Sequence, residues 1–413
     1  MADVRPFRCI HPAAGLESRV SALPYDVYSR EEAAKAVAGK PLSFLNVDRP
    51  ETMFGPEQDM YAPEVYEAAA DRLREMGRDG VFVQEEEPVY YLYELTMEGR
   101  SQTGIVACAS IDDYASQVIK KHENTRAEKE EDRIRHVDAC SAQTGPIFLA
   151  YRAREGLARI IRQVKTAAPD FSFTAEDQVR HAGWRIADPE TVDRIRREFS
   201  LVDSVYIADG HHRAASAVKV GFLRRRAHPD YDGTEEFNYF LSVFFPDDEL
   251  LIMDYNRVVR DLNGLSEEAF LRKTEEKFEV RRLEGREAPR KKGQISMYLH
   301  GRWYGLTVRP EYESTDPVQG LDVSYLHREL LAPALGIGDE RTDGRIDFVG
   351  GIRGLAELER RADSDCEAAF AMYPTAIGEL FAVADRGLLM PPKSTWFEPK
   401  LRSGLFLHRI EEA

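Results

Sequence analysis

The sequence predicts a mixed α/β fold, an α+β mixed sheet in an N-terminal domain followed by a second α+β domain. Three observations predict it. Residues 181–220 run strand, helix, strand, helix, which is a layered α/β pattern and not a sandwich. Residues 89–95 and 104–111 are β-branched and aromatic runs joined through Gly99-Arg100-Ser101, the pattern of a hairpin. The chain of 413 residues, 43% hydrophobic and 31% charged, is long enough for two or three domains with ample core.

The elements follow in order. Pro6-Phe7-Arg8 and Leu23-Pro24-Tyr25-Asp26-Val27 read as extended, because a residue before proline is pushed out of the helical region. Ser29 followed by Glu31 and Glu32 caps a short alanine-rich helix that ends at Gly39. Phe44 to Val47 reads as a strand. Pro63 to Met76 is a helix with proline near its first turn. After the hairpin, Ile111, Tyr114, Ala115, Val118, Ile119 and His122 keep a helical stripe that continues through the charged run to Arg133. Ile147–Tyr151 is a strand and 156–165 a helix. His181–Ile186 is a strand, and Asp188 with Pro189 starts a helix burying Val192, Ile195 and Phe199. Phe237–Phe245 and Leu250–Val259 read as a second hairpin. A boundary near Asp261-Leu262-Asn263-Gly264 divides the chain into domains 1–260 and 261–413. Beyond it come a helix from Ser266, a hairpin over 294–308, and a strand at Ile346–Val349. The Gly350-Gly351 turn that follows lacks the Lys-Ser/Thr of a P-loop, so it is read as a turn without a ligand. Residues 390–404 carry Pro391, Pro392 and Pro399 and form a stiff loop.

Composition excludes several classes. A formal charge of -16 argues against nucleic acid and membrane surfaces as partners. No apolar run approaches the roughly 20 residues of a membrane span, and residues 1–6 lack the apolar core of a signal peptide. Cys9, Cys108, Cys140 and Cys366 are far apart with no C-x-x-C, which fits a reducing cytoplasm and offers no cysteine zinc site.

The chemistry concentrates in Val205-Tyr206-Ile207-Ala208-Asp209-Gly210-His211-His212-Arg213. An apolar strand breaks at Asp-Gly and a small-residue helix follows, with Asp209 expected as N-cap and Gly221 as terminator. Free amides and the positive end of the helix dipole favour an anion at such a start. Three successive cation-capable side chains oppose that dipole, and a bound phosphate removes the conflict; solvated histidines and an arginine on a surface carboxylate are the structural alternative. His122 with Glu123 is a base or a metal holder, against a satisfied core histidine. Asp254, Asn256 and Arg257, where an apolar strand turns polar, are a salt-bridged strand end, or a site where Asp254 holds a cation or orients Arg257. Lys393, Ser394, Thr395 and Lys400 with Arg402 form a basic knot, either a phosphate or carboxylate contact or a clasp. Thr125, Arg133 and Asn238 complete the polar candidates.

The Asp209–Arg213 box resembles the phosphate-binding box of the ParB/sulfiredoxin superfamily, which includes the free serine kinases. The whole chain is identified as a member of a large bacterial and archaeal family of unknown function. That resemblance rests on Leu23–Val27, His122-Glu123-Asn124-Thr125, the Asp209–Arg213 box, Asp254–Arg257 and Pro391–Phe397. It departs from sulfiredoxin, because histidine stands where the thiol is needed. The resemblance implies a ParB/sulfiredoxin-like N-terminal domain and a nucleotide-dependent small-molecule phosphotransferase, acting on serine or phosphoserine. Asp209, Gly210, His211, His212, Arg213, Lys393, Ser394, Thr395 and Lys400 then hold phosphate or nucleotide, ATP or ADP. Glu123, Asp26, His122 and His212 are the catalytic candidates, with Mg2+ on Asp209, Asp254 or Glu123. The substrate is a small molecule carrying phosphate or carboxylate. The alternative is a nucleotide-binding or hydrolysing regulatory module with no small acceptor.

Overall fold

The computed structural model describes residues 1–411. It has the mixed α/β architecture read from the sequence. The chain divides into two compact units: Met1–Leu250 together with the stretch from Pro399, and Leu251–Glu398. The sequence reading put the division at residue 260 and gave everything after it to a second domain. The chain instead crosses at Leu250 and returns to the first unit at Pro399. The expected hairpin over 237–259 is the source of the difference. Tyr239–Pro246 pairs inside the first unit with Arg100–Ser110 and Ile147–Tyr151. Leu251–Met253 pairs with Trp396–Glu398, and Tyr255–Val259 with Ile346–Gly350 and Ala368–Met372. Apolar alternation identifies a strand without naming its partner.

In the first unit the described residues form a nine-stranded mixed sheet. Its order is Ile119–Lys120, Val205–Asp209, Ile147–Tyr151, Tyr239–Pro246, Arg100–Ser110, Tyr90–Met97, Arg180–Ile186 and Phe171–Thr174, with Val4–Arg5 also on Arg100–Ser110. Leu92, Ile105, Leu149, Ile207, Phe240 and Phe244 are fully buried in its core. Each such side chain contributes about 1.5–3 kcal/mol on burial.

Several local expectations change. The helical stripe of 111–133 is broken: a helix Ile111–Ala115 stops, Gln117 takes φ 63, and Ile119–Lys120 joins the sheet edge before the helix Ala127–Cys140. Four residues of apolar stripe fit a short buried strand as well as a helix turn. Leu45–Asp48 is a helical turn and not a strand, and Tyr25–Val27 is a single 3-10 turn after an extended Pro24. The helix of the His-His-Arg box runs from His211 to Ala227, so Gly221 lies inside it. Close packing explains that glycine. A Cβ at Gly221 would lie 2.5 Å from the Phe237 carbonyl oxygen and 2.8 Å from Ile111 Cδ1.

The C-terminal stretch is woven into the first unit. Leu407 and Ile10 exchange backbone hydrogen bonds, as do Ser403 and Ala22. Arg402 ion-pairs with Asp177, and its Nε donates to His181 Nε2 at 3.2 Å. A guanidinium only donates, so the other ring nitrogen, Nδ1, carries the proton and donates to the Tyr93 hydroxyl at 2.7 Å. Burial, with Arg402 adding to it, pushes the His181 imidazole down to about 3. No helix among the described residues is long and apolar enough to cross a membrane.

The second unit carries a six-stranded antiparallel sheet in the order Phe278–Arg282, Arg302–Val308, Gln294–Leu299, Ala368–Met372, Tyr255–Val259, Ile346–Gly350. The helix Gly354–Ala362 buries Leu358 and Ala362 against Val258, Val349, Ala369 and Ala371.

Two predictions follow from this packing. Alanine in place of glycine inside a helix ordinarily stabilises by about 0.5–1 kcal/mol, but Gly221→Ala is expected to destabilise by about 1–3 kcal/mol through overpacking. A gain in urea midpoint would contradict it. His181 stays neutral in the fold while the unfolded chain takes up a proton near the ordinary 6.5, so its contribution is complete above that pH and is lost as pH falls toward 3. His181→Gln should flatten the acid limb of the stability–pH profile by about 1.4 kcal/mol per pH unit in that window. An unchanged limb would show that another group sets it.

Candidate functional site

Two strands leave the sheet edge side by side and bring the site together. Val205 pairs with Ile119 and Tyr206 with Lys120, in parallel. Continuing that register carries His122 alongside the strand end that leads to Asp209 and His211. Gly210 then turns the chain at φ 93, in the left-handed region, and is the N-cap with no side-chain bond to the helix. Asp209 is therefore not the N-cap expected from the sequence. Its Oδ1 accepts from Gly210 N at 2.9 Å and its Oδ2 from Lys400 Nζ at 3.2 Å. Glycine is required at 210 twice over, by its φ and because a Cβ would come within 3.1 Å of the Arg213 guanidinium.

Electrostatics at the turn are strongly biased. Burial alone would raise the Asp209 carboxyl, but Lys400 and then Arg213 outweigh it and hold it well below the usual carboxylate range. Arg213 Nη1 donates to the Pro146 carbonyl at 2.5 Å, which fixes the guanidinium beside the helix start. His212 Nε2 accepts from the Arg126 amide at 3.0 Å, and Ser216 Oγ bonds back to the His212 carbonyl at 2.7 Å. The helix start thus combines first-turn amides with a fixed guanidinium and a lysine.

Beside it stand His122, Glu123 and His211. The two imidazoles meet edge to face, centroids 4.5 Å apart at 89°. His211 Nε2 accepts from the His122 amide at 3.4 Å, while its Nδ1 lies 4.0 Å from Glu123 Oε2. One donor atom from each of the three residues lies within 4.8 Å of the others. Burial lowers His122 to about 4, opposed by a hydrogen bond with the Ile207 backbone and by Asp209. His211 is pushed well below the ordinary histidine range by burial and by the neighbouring His122. Burial disfavours the charged form of both rings, and His211 Nε2, in accepting from the His122 amide, leaves the ring proton on Nδ1, towards Glu123. His122 sits in the non-helical segment after Ile119–Lys120, not on the helix face expected from its stripe.

Of the alternatives expected for Mg2+, Glu123 stands in this cluster, with Asp209 close to His211. Both Asp209 oxygens are engaged as described, and Asp254 belongs to the second unit, where its Oδ2 accepts from Asn256 at 2.5 Å. Mg2+ prefers oxygen ligands and keeps several waters, whereas the cluster that forms offers two imidazoles and one carboxylate.

One cavity adjoins the helix start, and a second shares Tyr25 and Arg133 with it. A small one of about 30 Å³ is lined by Tyr25, Arg133, Thr144, Gly145, Arg213 and Ser403. The other, about 200 Å³, is lined by Asp26, Arg49, Glu51, Asp132 and again Tyr25 and Arg133. The Arg133 guanidinium lies 4.1 Å over the Tyr25 ring and is paired with Asp132 at 2.8 Å. Arg49 binds Glu51 at 2.6 Å and the carbonyls of Tyr25 and Tyr28 at 3.0 and 2.6 Å. Sequence reading missed Tyr25 and Arg49 as site walls. The available signal was their nearness to Asp26 and to the turn at Pro50.

The remaining candidates make the following contacts. Thr125 Oγ1 donates to Glu130 at 2.7 Å at the start of the helix Ala127–Cys140. Asn238 is buried and takes up Arg225 and Glu235. Lys393, Ser394, Thr395, Asn256 and Arg257 belong, with Asp254, to the second unit. There Arg257 is fully buried, donates to the carbonyls of Tyr255, Pro392 and Lys393, and faces Glu340 at 3.6 Å. Ser394 Oγ donates to the Pro391 carbonyl at 2.6 Å. Of the basic loop, Lys400 and Arg402 belong to the first unit.

Solved structures similar to the chain include a free serine kinase in complex with AMP, at 16% identity and TM-score 0.36, covering 73% of this chain and 91% of that one. A mutant of the free serine kinase in complex with ADP is similar at 16% identity and TM-score 0.35, with the same coverage of 73% and 91%. A conserved hypothetical protein from Pyrococcus furiosus is similar at 15% identity and TM-score 0.35, covering 74% of this chain and 95% of that one. No curated protein matches the chain. The sequence model of one family, described as a protein of unknown function (DUF1015), matches residues 4–324. The chain belongs to the DUF1015 family.

Proposed function

We propose that the first unit is a nucleotide-dependent small-molecule phosphotransferase. The observation that carries the reading is the start of the helix His211–Ala227. It opens on a left-handed Gly210 with no side-chain cap and holds a fixed guanidinium and a lysine ammonium beside its amides. Phosphoryl transfer asks for that kind of cradle: positioning, charge neutralisation and a group to take the acceptor's proton. The likeness of the Asp209–Arg213 box to the phosphate box of the ParB/sulfiredoxin superfamily supports the same assignment.

In this reading a terminal phosphate of ATP or ADP lies on the amides of residues 211–213. Arg213 and His212 offset the charge that spreads over its oxygens. An acceptor hydroxyl attacks phosphorus, the bond to the leaving phosphate breaks, and the hydroxyl proton passes to Glu123 or Asp26. The cavity of about 200 Å³ walled by Asp26, Arg49, Asp132 and Arg133 has the size and mixed charge for a small acceptor carrying an amine and a carboxylate or phosphate, such as serine or phosphoserine. Lys393, Ser394 and Thr395 remain proposed anion contacts of the second unit. The buried free thiols of Cys9, Cys108 and Cys366 suit a reducing cytoplasm.

The test is a thermal-shift screen of ATP and ADP, with and without divalent cations, against serine, phosphoserine and related small acids. Specific stabilisation by nucleotide and acceptor together is expected, by mass action; indifference to every nucleotide would end the reading. Arg213→Ala should weaken nucleotide binding at least tenfold, about 1.4 kcal/mol, in calorimetry at fixed salt. Equal affinity in folded mutant and parent would remove Arg213 from the cradle. Glu123→Gln and Asp26→Asn separate the two candidate bases, since the true base loses turnover while keeping nucleotide affinity.

A further inference from the structure

We infer that His122, Glu123 and His211 form a binding site for a divalent first-row transition ion of the zinc or cobalt type, separate from any Mg2+ carried by a nucleotide. The donors come from two segments that the parallel strands hold side by side, so the site is built into the sheet edge and not assembled by chance surface contact. His122 and His211 are 2% and 7% exposed. Their rings meet edge to face, and one ring nitrogen of each lies within 4.8 Å of the other and of a Glu123 oxygen.

The distances suit a shared ion after a small closure. Three ligands bound at about 2.0–2.2 Å around a tetrahedral centre stand roughly 3.3–3.6 Å apart. Here the donor atoms lie within 4.8 Å of one another, and His211 Nδ1 is 4.0 Å from Glu123 Oε2. The carboxylate is the arm that closes: its side chain is 40% exposed and stands on a non-helical segment. If Nδ1 of His211 takes the ion, its Nε2 must carry the proton, so the long 3.4 Å contact from the His122 amide is given up on loading. Two imidazoles and one carboxylate select the borderline transition ions over Mg2+ and Ca2+. Three protein ligands leave at least one coordination position, on the side where Glu123 meets solvent, and an oxygen of a small ligand or water fills it.

The metal assignment stands on donor chemistry alone and does not need the nucleotide reading. One corollary rests on that reading: with Glu123 on the ion, Asp26 is the remaining carboxylate for the acceptor proton.

The experiment uses the full chain, stripped with a chelator and titrated with Co2+ and Zn2+ in the absence of nucleotide. The inference expects one equivalent of Co2+, with ligand-field absorption in the visible, displaced by Zn2+ and unaffected by a large excess of Mg2+. Glu123→Gln, at a partly exposed position where folding is undisturbed, should weaken Co2+ binding at least tenfold. His211→Gln and His122→Gln should abolish the absorption, with circular dichroism reporting whether each still folds. No bound Co2+, displacement by Mg2+, or full affinity in folded Glu123→Gln each overturns it. Nucleotide binding is measured on the same samples. Nucleotide binding without Co2+ binding removes this inference alone, and Co2+ binding without nucleotide binding removes the phosphotransfer reading alone.

Discussion

The ammonium of Lys400 meets the carboxylate of Asp209 across 191 residues of chain, at the point where a buried strand becomes a helix. The Asp209 side chain is 32% exposed, and lysine with the nearby Arg213 makes its charged form the favoured one. Two residues on, Arg402 engages His181 and Asp177 in the opposite region of the same sheet. The short stretch from Pro399 thus fixes both the helix start and the far strands of the first unit. The turn at Gly210 keeps its shape because charges from two separate segments, Asp209 with Arg213 and Lys400, agree there.

That arrangement joins fold to chemistry. A helix start with uncompensated amides needs an anion, and Asp209 supplies part of that need from just outside the helix. Lys400 and Arg213 both act on the Asp209 carboxyl. Next to this cationic turn the imidazoles of His122 and His211 stand buried, with the Glu123 carboxylate beside them. Cation-rich and donor-rich chemistry therefore share one sheet edge and one helix start, where His211 and Arg213 stand two residues apart.

How much of this is legible in the sequence depends on how local the cause is. The strand Val205–Asp209, the glycine turn and the following helix are local patterns, and they stand where the residues predict. So do the capping box at Ser29 and Glu32 and the hairpin of Tyr90–Met97 with Arg100–Ser110. The break at Gln117 is local too, but nothing in glutamine announces a left-handed φ. Strand partners are a non-local matter, which is why 239–246 and 251–259 read as a hairpin and are not one. Lys393 and Lys400 look alike in sequence, seven positions apart, yet belong to different units. His122 and Glu123 were legible as residue types; their third companion, His211, emerges only from the parallel register of strands some 85 residues apart.

The position of residues 251–398 within the first unit's chain has a consequence for synthesis. The first unit lacks Lys400, Arg402 and the Leu407 pairing until residues 399–407 have been made, whereas the second unit is a continuous segment made before them. At ordinary elongation rates the inserted segment delays closure of the first by roughly 7–30 s. During that interval Asp209 and His181 have no cationic partner from the C-terminal stretch, and the strand edges near Ile10 and Ala22 are open. A nascent chain of this kind is most exposed to chaperones and proteases at its N-terminal half, the reverse of the usual order in which early residues are the first to be safe.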